Sequence, residues 1–381
     1  MRSFHFLLPT EVSFGEGSIT RVGQETSRLG RRALVVTGRK SSKRSGALDT
    51  VVGSLKKAGV TLEVFDQVEE NPSVETVELG SSVARKMGCD VIVGLGGGSP
   101  MDAAKGMAVL ARLGGSLGDY FGSARITSPV LPVVAVPTTA GTGSEVTPYA
   151  VFVDSHKGMK KSVASPYIFP RVALLDPRLT ISMPPDVTAN TGIDALSHAV
   201  EGFISTKAQP ASDILALEAV GIIHGHLPQA VAHGDDIEAR TKVLYASMLA
   251  GMVIAQTGTT LLHGVGYAPT TKYGIPHGLS NGVLMPKVMA FNGSADQERF
   301  ARLAVALGQR GDATRGTKLA IDAIERLRDE VKMPTRLRDL GIQEKDLEEF
   351  ARQTMEHTRN LANNIRQVSW EEALQIYRDS Y

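Results

Sequence analysis

From Arg32 to about Pro177, short runs of β-branched and aliphatic residues alternate with segments whose apolar positions recur at helical spacing. ALVVTG (33–38), TLEVFDQV (61–68), VLPVVAVPTT (130–139), YAVFVD (149–154) and VALLDP (172–177) predict strands. CDVIVGLGGGS (89–99) is apolar almost throughout and predicts a strand buried on both faces of a parallel sheet. Helices are predicted at SGALDTVVGSLKKAG (45–59), at 73–87 behind an Asn-Pro-Ser turn, and at about 100–113. This alternation argues a doubly wound α/β domain. The opening MRSFHFLLPTEVSFGEG predicts a first strand, because Pro9 and Glu11 interrupt its short apolar run and no small-residue cleavage site follows.

After Pro184 and Pro185 the pattern changes to long helical-period segments, at 190–205, 210–232, 236–258, 260–273, 296–310, 315–331, 344–355 and 370–379. The expected fold is therefore an α/β N-terminal domain over residues 1–182 and an all-α C-terminal domain over 183–381. No run approaches the roughly 18 apolar residues that a membrane span needs. Acids and bases nearly balance at a net charge of +1, which excludes general attraction to nucleic acid or an anionic membrane and favours a small-molecule partner. Cys89 is the only cysteine, so no intrachain disulfide can form and a reducing, cytoplasmic setting is expected.

Candidate chemistry concentrates in NTGIDALSHAVEGF (190–203), where Asp194 and His198 lie four residues apart on one helical face. His263 in TTLLHGVGY and His277 in GIPHGLSNG each precede a glycine that would let backbones pack close. One carboxylate and three imidazoles form the mixed oxygen and nitrogen set that first-row metals prefer. His5, His156, His224, His226, His233 and His357 fit no such spacing.

In the first domain GLGGGSPMD (94–102) follows a buried strand and opens a helix, which suits a pyrophosphate, although its spacing is not GxGxxG. PTTAGTGSE (137–145) offers a second loop of hydroxyls and glycines after a strand. At the end of the second strand Gly38 stands where an acid would bind a ribose 2′-hydroxyl, and Arg39, Lys40, Ser41, Ser42 and Lys43 follow. A small residue followed by cations suits a 2′-phosphate, so NADP(H) is expected in preference to NAD(H).

GGGSPMD, PTTAGTGSEVTP, NTGIDALSHAVEG and HG…PHG together resemble the iron-containing (group III) alcohol dehydrogenases, over nearly the whole chain. The resemblance implies the dehydroquinate synthase-like fold, a homodimer, and a metal in the cleft between the domains. It implies Asp194, His198, His263 and His277 as ligands, with Fe²⁺ usual and Zn²⁺ or another divalent metal in some relatives. It further implies cofactor contacts from Gly38, Ser41, Ser42, Asn71, Gly97, Gly98, Ser99, Asp102, Thr138, Thr139, Thr142 and Lys160. Where many members carry a proton-relay histidine, this chain has Tyr267, a poorer shuttle near neutrality or simply a wall of the substrate site.

The chemistry so implied is hydride exchange between a nicotinamide and a small primary alcohol, diol or aldehyde, with the metal as Lewis acid. Gly264, Val265, Tyr267 and Ala268, with Phe152, are expected to line a small apolar site. Competing readings are a glycerol dehydrogenase-like Zn²⁺ enzyme and a dehydroquinate synthase-like lyase. The lyase would need a strongly basic pocket, and only Lys272 and Lys287 accompany His263 and His277.

Overall fold

The structure, a computed structural model, describes residues 3–154 and 159–381, so His156 lies outside the described residues. The chain forms two compact units, Leu8–Ser182 and Met183–Tyr381, the latter joined by the N-terminal residues up to Leu7. Gln256 ties that N-terminal segment to the helical unit through its amide, which accepts from Leu7 N at 3.0 Å and donates to Leu7 O at 2.9 Å.

The α/β unit contains, in order, β1 (Glu11–Phe14), α1 (Val22–Leu29), β2 (Arg32–Gly38), α2 (Ser41–Arg44), α3 (Ala47–Lys57), β3 (Thr61–Val68), α4 (Val74–Met87), β4 (Val91–Gly96), α5 (Gly98–Leu113), β5 (Gly122–Ser123), β6 (Val133–Pro137), β7 (Tyr149–Asp154), β8 (Met159–Ala164) and β9 (Val172–Leu175). Six strands make a parallel sheet in the order β1-β9-β6-β4-β2-β3. One face packs on Val22, Val51 and Leu55 of α1 and α3, the other on Val77, Ala84, Met107 and Leu110 of α4 and α5. That two-sided burial is why β4 reads as an unbroken apolar run.

YAVFVD is indeed a strand, but it does not belong to the parallel sheet. It pairs antiparallel with β8 in a separate three-stranded sheet of order β5-β8-β7. The polar sequence of β8, MKKSVA, hid this partner.

The helical unit holds α6 (Pro185–Ile204), α7 (Pro210–Ala232), α8 (Ile237–Thr257), α9 (Leu261–Tyr273), α10 (His277–Gly293), α11 (Gln297–Ala306), α12 (Gly316–Glu330), α13 (Leu347–Glu356), α14 (Thr358–Asn363) and α15 (Trp370–Asp379). Prolines occupy the first helical turn of α6 and α7, where a missing N–H costs nothing. Helix α10 was not expected, because Gly278, Gly282 and Pro286 lower its propensity; packing against α6 and α9 overrides that. By length and composition alone α7 is apolar enough to cross a membrane, although Asp213, Glu218, His224 and His226 interrupt its apolar run. Here it packs against α6, α8 and α11, and its Asp213 is paired with Arg299.

Candidate active site

Asp194 and His198 stand one turn apart on α6, His263 lies in the first turn of α9, and His277 is the first residue of α10. One ligand atom from each of Asp194, His263 and His277 lies within 4.8 Å of the other two, a group able to hold a metal ion. His263 Nε2 is 4.0 Å from Asp194 Oδ1. The His198 ring stacks on His263 with centroids 4.8 Å apart, and His277 meets His263 edge-on at 4.8 Å. All four residues are thus neighbours, with three converging by ligand atoms and His198 entering through its ring. A carboxylate among imidazoles, with Asp194, His198 and His263 buried and His277 half-buried, fits a first-row divalent cation.

Backbone contact places these groups. A Cβ on Gly278 would lie 1.9 Å from Asn190 O, so only glycine lets the start of α10 rest on α6 and bring His277 to Asp194. Gly264 differs from expectation, since its Cβ would meet Asn360 at an ordinary 3.7 Å.

Two residues that the sequence reading passed over complete the cluster. Asn281, fully buried, places its Nδ2 3.2 Å from Asp194 Oδ1 and 3.3 Å from His277 Nε2. Glu201 faces His263 Nδ1 with Oε2, while its Oε1 accepts from Thr260 N at 2.8 Å, Thr260 Oγ1 at 2.7 Å and His263 N at 3.2 Å. Burial pushes the Glu201 carboxyl up, yet His263 and the hydrogen bonds it receives outweigh this and hold it below its ordinary value. Both residues were legible in principle: Glu201 follows His198 by three positions on the Asp194 face, and Asn281 follows His277 by four.

Tyr267 stacks on His277 at 5.2 Å and meets His263 edge-on at 6.1 Å. Burial, with the Glu201 charge adding to it, pushes its hydroxyl up to about 12. His357, which no spacing singled out, packs against Tyr267 with ring centroids 4.9 Å apart. Three residues expected to line the substrate site are buried. Phe152 is fully buried in the core of the α/β unit against Gly106, and Val265 and Ala268 are buried in the helical unit.

In the α/β unit the chain leaves β2 for β3 on one side and returns to β4 on the other, so the ends of β2 and β4 form a topological switch point. The expected cofactor residues gather there. Asn71 N donates to Ser99 Oγ at 3.2 Å, and Thr138 N donates to Gly96 O at 2.9 Å. A Cβ on Gly97 would lie 3.4 Å from Thr139, and one on Gly98 only 2.7 Å from Thr142, so the two glycine-rich loops touch. Helix α5 begins at Gly98 with no side-chain cap, leaving its first N–H groups for a ligand.

Three residues at these strand ends also make contacts within the unit. Ser42 is buried, its hydroxyl bonded to Thr37 Oγ1 at 2.8 Å, and Lys43 pairs with Asp66. Asp102 uses one oxygen to accept from Ser144 Oγ at 2.6 Å and the other from Val151 N at 2.9 Å, and so braces the second loop. Lys160 lies on β8, near enough for its charge to act on Asp102.

Beneath the loops Lys105 is fully buried, donating to Ser144 Oγ at 2.8 Å, Thr147 O at 3.0 Å and Tyr149 O at 2.7 Å. Burial lowers its ammonium to about 8 and raises the neighbouring Glu145 carboxyl to about 7 from 4.5. A carboxyl raised in the fold contributes stability below its unfolded value, and loses it as pH rises through the folded one. Glu145→Gln is therefore expected to match the wild type near pH 4 and exceed it above pH 7, by on the order of 2 kcal/mol. Urea unfolding at pH 4.5 and 8 checks this, and equal differences at both would refute it.

The models of two linked families match the chain: "Iron-containing alcohol dehydrogenase" over residues 9–177 and "Fe-containing alcohol dehydrogenase family, C-terminal" over 188–381. The chain is 38% identical to the 1,3-propanediol dehydrogenase of Citrobacter freundii, over 100% of this chain and 99% of the relative. It is 37% identical to the NAD-dependent methanol dehydrogenase of Bacillus methanolicus, over 92% and 93% of the two chains. Among solved structures it resembles a 1,3-propanediol oxidoreductase with a TM-score of 0.97 and 38% identity, covering all of both chains.

Proposed function

The chain belongs to the iron-containing alcohol dehydrogenase family, and on that premise we propose that it interconverts small primary alcohols or diols and their aldehydes, using Fe²⁺ or a similar divalent metal and NADP(H) in preference to NAD(H). The observation that carries the reading is the convergence of Asp194, His263 and His277, with His198 stacked beside them. When bound, a divalent cation there supplies Lewis-acid polarisation of the substrate oxygen, and a nicotinamide supplies or accepts the hydride.

The chain's own residues do the rest. Asp194 provides the single ligand charge, leaving a divalent site cationic; Asn281 orients Asp194 and His277; Tyr267 walls the His277 side. The uncapped start of α5 offers N–H groups and a positive dipole end to a pyrophosphate. Support for NADP(H) comes from Gly38 at the end of β2 and from the exposed Arg39, Lys40 and Ser41 that follow it, whereas Ser42 is buried and Lys43 pairs with Asp66. The homodimer belongs to the same reading, and sedimentation velocity tests it.

An anaerobic assay of the Fe²⁺-loaded protein with NADPH and then NADH, against a panel of small aldehydes, tests the proposal. NADPH oxidation lost on chelation and restored by Fe²⁺ is the expected result. Gly38→Asp should then shift preference toward NADH by about tenfold or more, through repulsion of the 2′-phosphate. Better turnover with NADH in the wild type would remove the cofactor preference. Metal and nucleotide binding without oxidation by any aldehyde would favour a lyase.

A further inference from the structure

We propose that Glu201 is a positioning residue of the metal centre: its carboxylate clamps His263 in the tautomer and orientation that turn Nε2 toward Asp194. The proposal rests on the metal-dependent reading above. Its basis is the split use of the two carboxylate oxygens. Oε1 takes three donors from the start of α9, namely Thr260 N, Thr260 Oγ1 and His263 N, so the carboxylate cannot rotate. Oε2 is thereby fixed on His263 Nδ1.

With Nδ1 occupied as a donor, Nε2 is the only nitrogen of His263 left to act as a ligand, and it is the one that stands 4.0 Å from Asp194 Oδ1. A carboxylate behind a ligand imidazole also increases the basicity of the ligating nitrogen. Glu201 is 1% exposed and sits on α6, the helix that carries Asp194 and His198. One helix therefore supplies two members of the cluster and the brace for a third.

The bland alternative is that Glu201 merely caps α9, because a carboxylate at a helix N-terminus is favourable in itself. Thr260→Val separates the two, since it removes one capping hydrogen bond and leaves the Oε2 to Nδ1 contact in place. The experiment is a Co²⁺ titration of the metal-free protein, followed by its visible absorption bands, for wild type, Glu201→Gln and Thr260→Val. Apo-protein melting and NADPH affinity are measured alongside.

Glu201→Gln is expected to weaken Co²⁺ binding about 10- to 100-fold and shift the visible bands, with NADPH affinity unchanged. Thr260→Val should stay within about threefold of wild type, as a lost neutral hydrogen bond remote from the ligand nitrogen implies. Wild-type Co²⁺ affinity and spectrum in Glu201→Gln would overturn the proposal, as would an equal loss in Thr260→Val. Failure of the wild type itself to bind Co²⁺ would instead remove the metal reading on which the proposal rests. Should Glu201→Gln melt below the assay temperature, Glu201→Asp, which keeps the charge but draws it back from Nδ1, carries the same comparison.

Discussion

Exchange of either His263 or His277 for alanine is expected to abolish metal retention and lower turnover about a thousandfold or more, since Lewis-acid stabilisation is worth several kcal/mol. The two variants should nevertheless differ in stability. His277 contacts Thr270 Oγ1 and Asn281 Nδ2 at 3.4 and 3.3 Å, neutral groups whose loss costs little. His263 is the partner of a buried carboxylate, so His263→Ala leaves Glu201 without its imidazole and should cost about 3 kcal/mol in addition. Metal analysis, aldehyde turnover and thermal melting of both apo proteins check the pair. Near wild-type activity in either variant would sink the ligand assignment, and equal melting would sink the role given to the His263 contact with Glu201.

The second large effect is expected in the α/β unit. Lys105→Met should destabilise that unit by about 3–5 kcal/mol and weaken NADPH binding at least tenfold. The side chain is fully buried, and its removal leaves Thr147 O and Tyr149 O without their donor and takes from Asp102 a cation 3.9 Å away. Asp102 and Lys105 both hold Ser144, at the end of the loop whose Thr142 touches Gly98. Losing the brace should therefore loosen the cradle at the start of α5. Ser144→Ala removes one shared link and should cost only about 1 kcal/mol, a graded control that is still folded. Urea unfolding together with fluorescence titration of NADPH gives both readouts. A Lys105→Met protein that binds NADPH as tightly as wild type would mean that these loops hold their shape without the brace.

Periodicity was enough for the strands of the parallel sheet and for most helices, because each buries one defined face. It was not enough for β8, whose apolar positions are few, or for α10, whose glycines and proline are tolerated only because α6 and α9 pack against it. The residue order of NTGIDALSHAVEGF set Asp194 and His198 on one helical face, and that local relation holds in the fold. Bringing His263 and His277 to them required the approach of α9 and α10 to α6, which turns on Gly278 against Asn190.

The sequence by itself determined the two-part organisation, the residue types of the candidate metal cluster, and the glycine-rich turns at the strand ends. Each depends on neighbours close along the chain. Only the tertiary structure decided which oxygens and nitrogens are already engaged. It bound Ser42 to Thr37, Lys43 to Asp66, and Asp102 to Ser144 and Val151, and it withdrew Phe152 into the core. It also placed Glu201 behind His263 and His357 against Tyr267, partners separated by 62 residues in the first case. A side chain's hydrogen-bond partner is fixed by distances across the fold, and local pattern carries no record of those.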